Sequence, residues 1–254
     1  MLLEQKVAVI FGAGGAIGRT VARTFAREGA KVFLSGRNLA AVEAVAEEIG
    51  AAGGEAFAAR VDALDEDTVN RHVADVVQEA GRIDVVLNAI GFKVVQGVSL
   101  TDIDRDDFLS PIATLTTAQF LTARAAARHM AQERSGVILT LSASPARLAI
   151  ASTGGFGVAC AAIEGLSRTL AAELSPHGIR VVCIRPHRIG DTLGPDPDFP
   201  MGHDEFRTLI ENMTLLKRLP TLENVASTAA FLASDGAAAI SGTVANLTGG
   251  MSVD

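Results

Sequence analysis

Residues 7–18 read Val7-Ala8-Val9-Ile10-Phe11-Gly12-Ala13-Gly14-Gly15-Ala16-Ile17-Gly18, and this stretch decides the fold. Five apolar residues without a polar break predict a buried strand. Four glycines then interrupt it, and Ile17, Val21 and Phe25 follow at i, i+4, i+8, one face of a helix over 17–28. Small residues between a first strand and a first helix let the backbone turn tightly and approach a ligand closely. The free N–H groups opening the helix suit a pyrophosphate. A glycine-rich run alone is weak evidence; between a strand and an amphipathic helix it is good evidence.

The same alternation continues along the chain. Apolar runs at Lys31–Leu34, Ala56–Val61, Val85–Leu87, Val137–Leu141, Val181–Ile184 and Val244–Leu247 read as further buried strands. Helical patterns fall at Leu39–Ile49, Asp67–Ala80, Asp107–Arg134, Gly155–Leu174 and Leu222–Ser234. Seven continuous apolar strands separated by helices predict a doubly wound α/β fold, with a parallel sheet covered by helices on both faces. A length of 254 residues suits one such domain over 1–254. The irregular stretch from Gly190 to Met201, with Pro195, Pro197 and Pro200, marks 190–215 as a candidate lid over a ligand.

Composition narrows the function. A net charge of -7 disfavours nonspecific nucleic-acid binding. No apolar run is long enough to span a membrane, and no leader is legible at Met1–Lys6, so a cytoplasmic protein is expected. Cys160 and Cys183 have no metal-ligand spacing and are expected as reduced thiols. His72, His129, His177 and His203 lack partner spacing, so no metal site is expected.

Several motifs, taken together, resemble the short-chain dehydrogenase/reductase family over nearly the whole chain. Gly12 and Gly18 match its opening Thr-Gly-x-x-x-Gly-x-Gly, although Phe11 and Ala16 depart from it. Val61-Asp62 resembles the adenine-contacting aspartate, and Asn88-Ala89-Ile90-Gly91 keeps the ends of an Asn-Asn-Ala-Gly motif. Ser241-Gly242-Thr243-Val244 and Gly249-Gly250 are similar to the closing strand and loop. The resemblance implies a Rossmann fold binding a nicotinamide dinucleotide through Gly12, Gly14, Gly15, Ile17, Gly18, Arg37, Asp62, Asn88, Gly91 and Pro186. The second strand ends Leu34-Ser35-Gly36-Arg37. With no carboxylate there to bond a ribose 2′-OH, and an arginine able to hold a 2′-phosphate, NADP(H) is expected, with NAD(H) the alternative. The family's paired long helices imply a homo-oligomer, a tetramer or dimer, through 107–134 and 155–174.

Family chemistry, by contrast, does not carry over. The chain contains no tyrosine. The family's proton-donating tyrosine aligns with Phe156 and its lysine with Cys160, an i, i+4 pair. Its serine aligns with Ala143, flanked by Ser142 and Ser144, and its asparagine falls near Thr114 or Leu115. No catalytic residue is therefore assigned. Ser142, Ser144, Ser152, Thr153 and Cys160 lie near the expected pocket, but unassisted hydroxyls are poor acids and a helix cysteine usually behaves as a small hydrophobe. His187, in Arg185-Pro186-His187-Arg188, titrates near neutrality and could serve as a relocated acid. Lys93, Arg147, His187 and Arg188 leave C-terminal strand ends, where they could line a pocket for a small anionic ligand. Three readings result: a cofactor-binding sensor or noncatalytic subunit, an active carbonyl or enoyl reductase with a relocated acid, and a structural protein whose nucleotide site has closed.

Overall fold

The computed structural model describes residues 1–194 and 202–253. Its sheet comprises β1 (Val7–Phe11), β2 (Lys31–Gly36), β3 (Ala56–Arg60), β4 (Val85–Asn88), β5 (Gly136–Leu141), β6 (Ile179–Pro186) and β7 (Thr243–Leu247). The order is β3-β2-β1-β4-β5-β6-β7, and every pairing is parallel. The chain winds outward from β1 to β3, then returns across β1 to start β4. That reversal opens a crevice at the C-terminal ends of β1 and β4. The doubly wound parallel sheet expected from the alternation is present.

Strand side chains alternate between two cores, as a period of two requires. Ala8, Ile10, Val32 and Leu34 face α1 (Ala16–Arg27), α2 (Leu39–Ala51) and α7 (Leu222–Ala233). Val7, Val9, Phe11 and Phe33 face α3 (Glu66–Ala80), α4 (Arg105–Glu133) and α5 (Gly155–Leu174). The expected burial of all seven strands needs correction at the margins. The edge strands β3 and β7 each have exposed positions, because a neighbour is present on one side only. The alanines Ala123, Ala125, Ala126 and Ala127 are buried within the second core.

Helix starts follow local chemistry. Asn38, Asp65, Asp104 and Thr221 each accept a backbone N–H at the first turn of α2, α3, α4 and α7. In contrast, α1 starts at Gly15 and α5 at Gly154 with no side-chain cap, although in α5 the Phe156 N–H donates to the Thr153 carbonyl at 3.2 Å. At Gly155 a Cβ would fall on the Phe108 carbonyl oxygen, so only glycine lets α5 cross α4 at this separation.

The segment 190–215 holds a helix that the sequence reading lacked, α6 (His203–Met213). Phe206, Leu209, Ile210 and Met213 fall at i, i+3, i+4 and i+7, the amphipathic helical spacing, so the helix was legible although only Ile210 is buried. The three prolines of the candidate lid, Pro195, Pro197 and Pro200, lie outside the described residues. Among the described residues no helix is long and apolar enough to cross a membrane.

Candidate dinucleotide site

A cavity of about 400 Å³ opens over the C-terminal ends of β1, β2 and β4. Its floor is the glycine loop, which is tied to the sheet: Gly12 and Ala13 donate to the Ser35 carbonyl at 2.8 and 3.0 Å, and Gly15 donates to that of Gly12 at 3.1 Å. Gly12 has φ of +79°, and a Cβ there would press on the Ala89–Ile90 backbone. At Gly18 a Cβ would collide with the Gly12 carbonyl, so glycine permits α1 to lie against the loop. The uncapped N-terminus of α1, with no acidic residue in its first turn, completes a cradle for a phosphate.

Of the residues the sequence reading assigned to a dinucleotide, Gly12, Gly14, Gly15, Arg37, Asp62 and Gly91 line this cavity. Four do not line it. Ile17 is partly buried and packs on the core beneath the loop. Gly18 is the close-packing position just described. Asn88 is buried, donating from Nδ2 to Thr122 Oγ1 at 2.9 Å and accepting from the Ile90 N–H at 3.1 Å; it thus shapes the wall. Pro186 ends β6 opposite Leu247. The cavity is also lined by Phe11, Ser35, Asn38, Ala41, Ile90 and Phe92, which the reading did not assign to a ligand, and by Thr114, which it placed only near the family's asparagine. Phe92 comes from a separate loop segment and carries no short-range signal.

Arg37 stands exposed at the β2 edge, with no ion pair among the described residues. Asp62 is also exposed, and its Oδ1 accepts the Leu64 N–H at 3.1 Å, fixing the turn after β3. This donor and acceptor set suits a dinucleotide: a tight glycine loop, an uncapped helix and a free cation at one end.

Beyond the cavity, on the β5 and β6 side, the chemistry becomes apolar. Phe156 is half-buried, packing with Phe92 and Ile112 around Leu115, Ala159, Ile163 and Cys183. Cys160 is 1% exposed, and burial pushes its thiol up to about 12. Burial also raises the Cys183 thiol. Iodoacetamide at pH 8 is therefore expected to leave both thiols of the folded protein unmodified, while urea-unfolded protein takes two labels by mass spectrometry. Rapid single labelling of folded protein would show Cys160 to be a reactive thiol after all.

The hydroxyls flanking Ala143 are both engaged. Ser142 donates to Glu164 Oε1 at 3.0 Å, and the same carboxylate pairs with Arg185 Nη1 at 3.3 Å to each oxygen. Glu164 is 4% and Arg185 1% exposed, so a full ion pair sits within the fold between α5 and β6. Ser144 Oγ lies 2.7 Å from His187 Nδ1. His187 was weighed as a solvent-facing loop histidine or a relocated acid; the structure buries it, and burial lowers its pKa below the usual histidine value, with Arg188 adding to the effect. Arg188 instead stacks over Phe206 of α6, and Lys93 and Arg147 are exposed. Ser152 has φ of +58°, and Thr153 Oγ1 bonds the Ile150 carbonyl, so these two hydroxyl residues shape the loop before α5. Among the described residues no group of three or more His, Cys, Asp or Glu is arranged to hold a metal.

The family profile described as enoyl-(acyl carrier protein) reductase matches residues 12–252, from the glycine loop to the strand that closes the sheet. The chain belongs to the short-chain dehydrogenase/reductase family. It is 32% identical to an L-rhamnose 1-dehydrogenase (NAD(P)(+)) of Azotobacter vinelandii, over 100% of this chain and 99% of that protein. It is also 32% identical to the secoisolariciresinol dehydrogenase of Forsythia intermedia, over 99% of this chain and 90% of the relative. A short-chain type dehydrogenase/reductase from Mycobacterium marinum superposes with a TM-score of 0.87 at 29% identity, covering 99% of this chain and 97% of that one. Membership in an oxidoreductase family that uses nicotinamide dinucleotides agrees with the cavity's donor set. Within this short-chain dehydrogenase/reductase, Phe156 and Cys160 are one helical turn apart on α5, Phe156 packing in the apolar cluster and Cys160 buried beside Ala143 and Cys183.

Proposed function

We propose that this protein binds NADP(H) in the cavity above β1, β2 and β4 and lacks the proton relay its family commonly uses. It therefore serves as a cofactor-dependent sensor or noncatalytic subunit, or turns over only weakly. The observation that carries this reading is a phosphate-ready cradle beside an apolar face where Phe156 and a thiol held protonated by burial stand at the relay positions. A bound nicotinamide would supply hydride. The chain would hold the pyrophosphate at Gly12–Ile17, an adenosine 2′-phosphate at Arg37 and the adenine beside Asp62. Phenylalanine has no proton to give, and a neutral thiol cannot substitute for an ammonium that lowers a neighbouring pKa.

Titration of NADPH by intrinsic cofactor fluorescence tests the binding half. Arg37→Ala is expected to weaken NADPH about 10- to 100-fold, the loss of a charge-assisted phosphate contact, while NADH binding stays within twofold. Equal weakening of both cofactors would remove the 2′-phosphate role. No binding at millimolar concentration would leave the structural-protein reading standing. Cytoplasmic residence and self-association through α4 and α5 belong to the same proposal. Leu109 and Phe120 on α4 and Val158 on α5 support the latter, being 46, 40 and 47% exposed.

A further inference from the structure

Two residues that the proposed reading leaves unused meet at the same edge of the sheet. Ser144 follows β5, His187 follows β6, and their side chains are joined by a 2.7 Å hydrogen bond between segments 43 residues apart. Ser144 is 3% and His187 9% exposed. The other ring nitrogen, Nε2, is buried and has no hydrogen-bond partner among the described residues. A buried polar atom without a partner is uncommon enough in folded proteins to require an explanation.

The tautomer follows from counting donors. A ring kept neutral by burial carries one N–H. If Nδ1 held it, the buried Ser144 O–H would lack an acceptor and Nε2 would lack a donor. If Ser144 donates to Nδ1, the hydroxyl proton is satisfied and only an Nε2–H is left over. The second arrangement strands fewer groups and is favoured. From Arg37 at the end of β2 to His187 at the end of β6 is four strand spacings, roughly 19 Å. His187 thus stands at the same C-terminal edge of the sheet as the cavity, outside its lining.

We propose that Ser144 is a positioning residue that fixes His187 as an Nε2–H donor, and that this N–H receives an uncharged carbonyl oxygen brought to the β5–β6 end of the cleft. The oxygen comes from the carboxamide of a bound dinucleotide or from a ketone held beside it. This rests on and extends the NADP(H) reading, since it supplies a hydrogen-bond donor at the β5–β6 end of the sheet, where Phe156 and Cys160 supply none.

Nitrogen-15 spectroscopy of the histidine rings tests it, with His187→Gln used to assign the signal. In the ligand-free protein Nε2 is expected to carry the proton and Nδ1 none. Ser144→Ala should give a mixture of tautomers, and Ser144→Thr should restore the single one. A wild-type ring protonated at Nδ1, or a Ser144→Ala ring unchanged from wild type, overturns the positioning role. The ligand half has two arms. A shift of the Nε2 signal on adding NADP+ alone assigns the carboxamide; a shift only after cyclohexanone is added to the NADP+-bound protein assigns a ketone. No shift in either arm, with NADP+ binding confirmed by calorimetry, overturns the donor role. Failure of NADP+ to bind by calorimetry sinks the cofactor reading and the donor role with it, while the ligand-free tautomer still decides the positioning role.

Discussion

Glu164→Ala is expected to cost the fold roughly 3–5 kcal/mol, the effect of removing one member of a buried ion pair. Arg185 is the largest fully buried side chain among the described residues, and its guanidinium faces both oxygens of Glu164. Without that carboxylate the buried cation loses the Glu164 charge it faces, and Ser142 Oγ loses its acceptor. Burial makes this penalty large, since solvent cannot replace the missing charge. For a chain of this size the melting temperature should fall on the order of 10 °C. The urea midpoint should drop with little change in slope. The double variant Glu164→Leu with Arg185→Met should recover much of the loss, because an apolar pair of similar volume avoids desolvating either charge. A Glu164→Ala protein as stable as wild type would mean that the pair is solvated in solution.

Rebuilding the relay should give the largest gain in activity. On the proposed reading, wild type reduces small ketones with NADPH only slowly. Phe156→Tyr together with Cys160→Lys and Ala143→Ser is expected to raise that rate by about 10²-fold or more, the usual contribution of a positioned general acid. Phe156→Tyr alone should give far less, because a phenol without a neighbouring ammonium keeps its proton near pH 10. Non-additivity across the three positions is expected of groups acting as a unit. The assay is NADPH oxidation followed at saturating cofactor, each variant being checked first for cofactor binding and folding. Brisk ketone turnover by the wild type, unaffected by these changes, would end the missing-relay reading.

The two parts of the site were unequally legible. The glycine loop could be read because its signal is local: Phe11 to Gly18 are contiguous, and strand, turn and helix preferences act over a few residues. Arg37 was placed by the end of the second strand and Asp62 by the family resemblance, and both line the cavity. Phe92 reaches the same cavity from a distant segment with no sequence signal of its own, whereas Thr114 had been marked only as a place near the family's asparagine. The Glu164–Arg185 pair was equally invisible, since its members lie 21 residues apart, one on α5 and one on β6. His187 was noticed for its titration range, yet its buried environment and its bond to Ser144 depend on how β5 and β6 align. The missed α6 shows the converse: Phe206, Leu209, Ile210 and Met213 carry a helical period, and the helix was overlooked beside the proline-rich stretch before it.

Sequence by itself determined the alternation of strands and helices, the phosphate-ready loop and the absence of any phenol from the chain, because each is carried by neighbouring residues or by composition. Only the tertiary structure decided which charges are hidden, which hydroxyls are engaged and which imidazole nitrogen stands without a partner. Those properties depend on burial, and burial is set when side chains far apart in the chain are packed against one another by the parallel sheet.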